Sequence, residues 1–212
     1  NVKLEKNDIR RSAFKNEILA KSFDYIGSYN KSFKYFEEAN HIINNFIKEK
    51  FDKNSLRVLI KKRIDYFKNP LTDNWKKLNF KKDFKDPIFL IGFPRSGTTL
   101  LDTILRSHPL IEVLEEKPTI DKFINHLRKK DRDNLSELER IDENYITEVR
   151  SVYFNERNKY IKFDNKITYI DKMPLSIVHV GELIRFFPDA KFIFALRNPY
   201  DVVLSCFMQN FT

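Results

Sequence analysis

The sequence predicts an α/β fold, a parallel sheet flanked by helices and preceded by an all-helical region. Three observations predict it. The apolar runs Ile88–Ile91 and Phe192–Leu196 have no polar interruption, which suits parallel strands covered on both faces. Each run leads through a turn, at Gly92 to Gly97 and at Asn198-Pro199, into a stretch of helical periodicity. Before residue 68, apolar residues recur at helical spacing.

From the amino-terminal side, Leu19 to Ala39 forms two amphipathic stretches broken at Gly27. Leu19, Ala20 and Phe23 mark the packed face of the first, and Tyr29, Ser32, Phe36 and Ala39 that of the second. Small residues at Ala20, Ser32 and Ala39 let two antiparallel helices approach closely, and Gly27 permits the turn. This order resembles one tetratricopeptide repeat over about residues 13–42, although Asn16 stands where the repeat has its first aromatic anchor and no proline closes the unit. The resemblance implies a surface for a protein partner. Ile42, Ile43, Phe46 and Ile47, then Leu56, Leu59, Ile60, Ile64 and Phe67, continue the spacing, so the helical, tetratricopeptide-like region is placed at 1–67. Residues 68–87, polar and punctuated by Pro70 and Pro87, read as a linker.

Residues 88–105 read as strand, tight turn and hydroxyl-rich helix start, which together make an anion cradle. Gly92 and Gly97 let the backbone turn and approach a ligand, and Thr98 and Thr99 open a helix whose free N–H groups and dipole favour negative charge. The periodicity expects this helix to bury Leu100, Leu101, Ile104 and Leu105 and to turn Asp102 and Arg106 outward. The segment is P-loop-like, with glycines at the spacing of G-x-x-x-x-G-K-[ST]. Thr98 nevertheless stands where a nucleoside-triphosphate P-loop needs its lysine, which argues against a kinase. The cation sits earlier, at Arg95.

With Pro94-Arg95-Ser96-Gly97-Thr98-Thr99, the turn resembles that of the sulfotransferase family, whose loop of this form holds the 5′-phosphosulfate of PAPS (3′-phosphoadenosine 5′-phosphosulfate). A second stretch, Lys191 to Ser205, resembles the family's 3′-phosphate site. There Arg197 at a strand end and Ser205 about two helical turns on grip the extra phosphate, a task that a guanidinium fork suits. His108-Pro109 followed by Glu115-Glu116 is similar to the tyrosylprotein sulfotransferases in particular. In that subfamily the second glutamate is the general base on the acceptor hydroxyl, a role that falls on Glu116. Thr168-Tyr-Ile-Asp-Lys-Met-Pro174 resembles the strand carrying the lysine beside the leaving group, which falls on Lys172. Cytosolic small-molecule sulfotransferases are less similar, because they have lysine at the position of Arg95 and use a histidine base.

The resemblance covers residues 86–212 and implies a sulfotransferase domain there, carboxyl-terminally incomplete. It implies catalytic roles for Glu116, Lys172 and Arg95, and a nucleotide site of Arg95, Ser96, Gly97, Thr98, Thr99, Arg197 and Ser205. It also implies PAPS as co-substrate, PAP as product and a hydroxyl acceptor. A protein tyrosine is favoured, with carbohydrate or a small metabolite open. No metal is implied, and the four His and one Cys show no metal-ligand spacing. The alternative is an inactive module in which the sheet holds nucleotide and the helices recruit a partner.

Composition frames these motifs. The chain has 212 residues, 42% hydrophobic, with 20 Phe, ample for a core. Its net charge of +9 belongs to the first part: residues 1–85 carry 21 Lys and Arg against 11 Asp and Glu, and 86–212 carry 18 against 19. No nucleic-acid motif accompanies that excess, so no specific nucleic-acid partner is assigned. Residues 118–163 are charge-rich with helical periodicity at Phe123, Ile124, Leu127, Ile146, Val149, Val152 and Tyr153. No apolar run reaches the roughly 20 residues of a membrane span. The single Cys206 excludes an internal disulfide framework and fits a reducing compartment, so the expected location is cytoplasmic.

Overall fold

A computed structural model describes residues 6–47, 53–68, 75, 80, 82, 84–129 and 135–209. The chain divides into two compact units: residues up to Leu56 together with Asn198 onward, and Arg57–Arg197. Most of the expected linker lies outside the described residues.

The first unit holds helices α1 (Lys6–Tyr25) and α2 (Tyr29–Ile47). They pair through Ala13, Ala20, Ser32, Phe36, Ala39 and Ile43, all buried, so the small residues bring the helices together. Gly27 turns the chain with φ 73°, its N–H bonded to the Asp24 carbonyl at 2.9 Å. A left-handed residue after a helix end is the ordinary use of glycine. Tyr29 departs from expectation. It opens α2 beside the turn and is exposed rather than packed. Further on, α3 spans Lys53–Phe67.

The second unit is built on four parallel strands: β1 (Ile88–Gly92), β2 (Ile111–Glu115), β3 (Thr168–Lys172) and β4 (Lys191–Ala195). Their order is β2-β3-β1-β4, with Leu90 opposite Lys172 and Gly92 opposite Ala195. Helices α4 (Thr98–Arg106), α5 (Thr119–Lys129), α6 (Glu143–Arg157) and α7 (Val180–Phe186) connect them. Strand alternation decides the two faces. Phe89 and Ile91 meet Phe123, Tyr153, Leu183 and Phe187 in the larger core. Leu90 meets Val113 and Ile170 on the other face, with Leu101 and Leu105 of α4 packed against them. Each fully buried aromatic or aliphatic side chain contributes roughly 1.5–3 kcal/mol. The last helix, α8 (Pro199–Phe207), follows β4 in sequence and belongs to the first unit, where the Phe207 carbonyl accepts from Asn40 Nδ2 at 2.7 Å.

One expectation is overturned. On α4, Asp102 is buried while Leu100 and Ile104 are exposed. The helix turns Thr98, Leu101, Asp102 and Leu105 inward, an i, i+3, i+4, i+7 face. The acid is tolerated there because Arg106 pairs with both of its oxygens. Among the described residues no helix is long and apolar enough to cross a membrane.

Candidate active site

The turn from β1 into α4 is shaped by its two glycines. A Cβ at Gly92 would stand 2.7 Å from Ser96 Oγ and 2.9 Å from the Ala195 carbonyl oxygen, so no side chain fits. Gly97 has φ 96° and serves as N-cap of α4 without a side-chain cap. The first helical bond runs from Leu101 N–H to the Gly97 carbonyl at 3.0 Å. The N–H groups of Thr98, Thr99 and Leu100 therefore precede the helical ladder and face the turn as donors. Ser96 is buried, and its Oγ has no partner among the described residues. Buried hydroxyls ordinarily have one, so this orphan suits a ligand oxygen.

Beside the turn, β2 and β3 end together, with Glu115 opposite Lys172. The Lys172 ammonium is almost fully buried and lies 2.9 Å from Glu115 Oε1 and 3.0 Å from Glu116 Oε1. Burial alone would lower its pKa, but the hydrogen bonds to Glu115 and Glu116 outweigh that and raise it. The Lys172 hydrogen bond, with its positive charge, holds the Glu115 carboxyl below the usual range. Glu116 N–H donates to the Lys172 carbonyl at 2.8 Å, carrying the pairing one residue past the strand. A continuous row of charge follows. Arg106 donates to both Asp102 oxygens at 2.6 Å and to Glu115 Oε2 at 3.1 Å, and Glu115 passes the row on to Lys172 and Glu116.

Arg197 follows β4, the neighbour of β1. Its Nη1 donates to the Arg95 carbonyl at 3.1 Å. Two cationic motifs 102 residues apart thus meet at the carboxyl ends of adjacent strands, where open parallel sheets bind ligands. Ser205 lies on α8, in the other compact unit. A cavity of about 420 Å³ opens beside the row of charge, lined by Thr99, Asp102, Thr103, Arg106, Ser107 and Glu115. A larger one, about 760 Å³, lies at the opposite end of the strands beside Ile88, Thr168 and Lys191. The orphan donors and the row of charge favour the smaller cavity as the neighbour of the chemistry.

The backbone marks the same place. Among the described residues, the non-glycine positions with positive φ are Arg95 (68°) and Glu116 (51°). Left-handed conformations cost a side-chain-bearing residue roughly 1–2 kcal/mol and gather at functional sites.

A model of the sulfotransferase family matches residues 87–212. The chain belongs to the sulfotransferase family. An uncharacterized protein from Aquifex aeolicus is 29% identical over 201 residues, which are 92% of this chain and 26% of that protein. Mouse protein-tyrosine sulfotransferase 1 is 30% identical over 129 residues, 58% of this chain and 34% of the relative. The nodulation protein NoeE of Sinorhizobium fredii is 32% identical over 129 residues, 55% of this chain and 30% of the relative. The chain therefore spans about a quarter to a third of the length of these relatives. The crystal structure of sulfotransferase STF9 from Mycobacterium avium covers 68% of this chain and 50% of its own, at TM-score 0.36 and 16% identity.

In this sulfotransferase chain, Arg95, Ser96, Gly97, Thr98 and Thr99 lie on one turn, Glu116 and Lys172 touch, and Arg197 reaches the turn. Sequence reading missed Asp102, Arg106 and Glu115. Two signals for them exist: an acid and an arginine at i, i+4 on α4, and a glutamate two residues past Val113 on the same strand face. It also missed Asp171. That carboxyl points to the larger core and accepts from Thr119 Oγ1 at 2.6 Å and Tyr153 OH at 2.8 Å. Burial, partly offset by those bonds, pushes its pKa up to about 6.

Proposed function

We propose that the protein transfers a sulfuryl group from PAPS to an acceptor hydroxyl, a protein tyrosine being the favoured acceptor. The observation that carries the reading is the bond from Arg197 to the Arg95 carbonyl, which joins the turn after β1 to the residue after β4 at the carboxyl ends of these neighbouring strands. One doubly phosphorylated nucleotide accounts for both. The family membership supports sulfuryl transfer, and the protein-tyrosine sulfotransferases among the relatives support tyrosine.

In this reading the turn residues Arg95, Ser96, Gly97, Thr98 and Thr99 hold the 5′-phosphosulfate through backbone donors and the helix N-terminus. Arg197 takes the 3′-phosphate, and the family resemblance assigns Ser205 to the same group. Glu116 accepts the proton of the acceptor hydroxyl as its oxygen bonds to sulfur. The bond from sulfur to the 5′-phosphate oxygen breaks, and PAP leaves with that electron pair. Lys172 and Arg95 stabilise the charge growing on the bridging and sulfuryl oxygens. Positioning and electrostatics carry the rate, as in phosphoryl transfer.

The full-length protein is incubated with PAPS labelled in the sulfuryl group and three acceptor probes: a tyrosine peptide, an oligosaccharide and a small phenol. The expected result is transfer to at least one probe, reduced about 100-fold or more by Glu116→Ala while PAP still binds. In a thermal-shift comparison PAP stabilises more than ATP or AMP, and Arg197→Ala erases its advantage over AMP. Equal shifts for PAP and AMP overturn the donor assignment. Stabilisation by PAP without transfer to any probe is what an inactive nucleotide-binding module predicts, and it overturns the enzymatic reading.

A further inference from the structure

The mechanism above uses Lys172, Glu116 and Arg95 and leaves the rest of the charged row without a task. Its geometry supplies one. Both oxygens of Glu115 are engaged, Oε1 by Lys172 at 2.9 Å and Oε2 by Arg106 at 3.1 Å, so the carboxylate is held from two sides. Arg106 is in turn fixed on α4 by two 2.6 Å bonds to the buried Asp102. Glu116 is more exposed and engages Lys172 through Oε1; among the described residues it has no second hydrogen-bond partner. We propose that Glu115 is a positioning residue for the transfer: anchored through Arg106 and Asp102, it holds Lys172 at the end of β3 and keeps Glu116 from becoming the ammonium's sole counter-charge. The inference rests on the roles given above to Lys172 and Glu116.

The physical argument is one of shared charge. Two carboxylates divide one ammonium, with its nitrogen 2.9 Å from one and 3.0 Å from the other. A glutamate alone with a buried lysine would be a tight ion pair, a poor proton acceptor with a poorly disposed partner. With Glu115 taking half of the ammonium, Glu116 is left as the surplus negative charge of the row and is available to a hydroxyl proton. Lys172 stays aligned by a second anchor when Glu116 turns to the acceptor. Among the described residues, the charged groups linked to Glu116 are Lys172 from β3 and, through Lys172, Glu115 from β2, with Arg106 and Asp102 of α4 beyond it. Its chain neighbour Lys117 is turned to the Tyr160 ring, 5.5 Å from its centroid.

Removing the Glu115 charge has two effects of one sign. A like charge beside Glu116 disappears, and the ammonium is left to Glu116 alone. Both leave Glu116 held more tightly by Lys172 and less available to the acceptor's proton, so turnover falls while nucleotide binding is retained.

The test uses the full-length protein, PAPS and whichever acceptor probe the wild type sulfates, with Glu115→Gln, Glu115→Asp and Glu116→Gln. For Glu115→Gln, kcat falls about 10- to 100-fold, while KM for PAPS and Kd for PAP change less than about threefold. Glu115→Asp restores part of kcat. Wild-type kcat in Glu115→Gln, with Glu116→Gln inactive, overturns this inference and leaves the proposed function standing. Loss of PAP binding in Glu115→Gln shows a merely structural role and also overturns it. An active Glu116→Gln, or a wild type that sulfates none of the probes, overturns the proposed function and this inference with it.

Discussion

Arg95 and Glu116 share a backbone property that their side chains do not explain: both are held at positive φ without being glycine. The cost is roughly 1–2 kcal/mol each, and both side chains are exposed. Such strain is what the roles proposed for Arg95 and Glu116 predict, and Arg95→Gly and Glu116→Gly would relieve it. Their melting temperatures should equal or exceed that of the wild type, with the proposed sulfuryl transfer lost. Thermal unfolding of the two variants checks this, and a melting temperature several degrees below wild type in both would contradict it. Gly92 is the opposite case. It is demanded by space, because Ser96 Oγ and the Ala195 carbonyl occupy the position of any Cβ.

At the scale of elements, β3, which ends in Lys172, leads through a 3₁₀ turn (Pro174–His179) into α7, and a buried ion pair braces that helix. Gly181 opens α7 so close to α3 that a Cβ there would overlap the Phe67 ring. Alongside it, Arg63 bonds Glu182 Oε1 through Nε at 3.1 Å and Nη2 at 2.6 Å, with His179 Nδ1 3.3 Å from the same oxygen. Burial would raise the Glu182 pKa, but the His179 hydrogen bond and the Arg63 charge lower it overall. A buried pair of this kind stabilises little against an apolar replacement, whereas breaking it strands a charge. Arg63→Ala should destabilise the protein by about 3–5 kcal/mol, and the double variant Arg63→Met with Glu182→Leu by much less. Urea unfolding of the single and double variants measures the difference. Equal losses would mean that the pair is not what ties α3 to α7.

The whole molecule registers one titration that the site does not use. Asp171 sits in the larger core with Thr119 and Tyr153 as donors to one oxygen, and its pKa is pushed from 3.8 up to about 6, chiefly by burial. The folded protein thus binds this proton more tightly than the unfolded chain. The resulting stability is full below pH 3.8 and is lost as pH rises through 6. At about 1.4 kcal/mol per unit it amounts to about 3 kcal/mol. Asp171→Asn should flatten the fall in unfolding free energy between pH 4 and 6, as read from urea midpoints across that range. An unchanged slope in the variant would assign the pH dependence to other groups.

How much of this was legible follows the same physics. The glycines, the hydroxyls at the start of α4, the apolar strands and the small residues of the α1–α2 pair are local patterns, and the sequence by itself determined them. Strand period, helix period and backbone freedom act within a few residues. It also placed Lys172 and Arg197 at strand ends, whereas the strand that ends at Glu115, just before Glu116, came from the structure. The tertiary structure alone decided that α4 rotates Asp102 inward, that Glu115 and Lys172 meet across 57 residues, and that Arg197 reaches the Arg95 carbonyl across 102. Those are matters of sheet order and register. A carboxylate on α4 looks like a surface residue until the guanidinium that neutralises it and the sheet against which that helix packs are both in place.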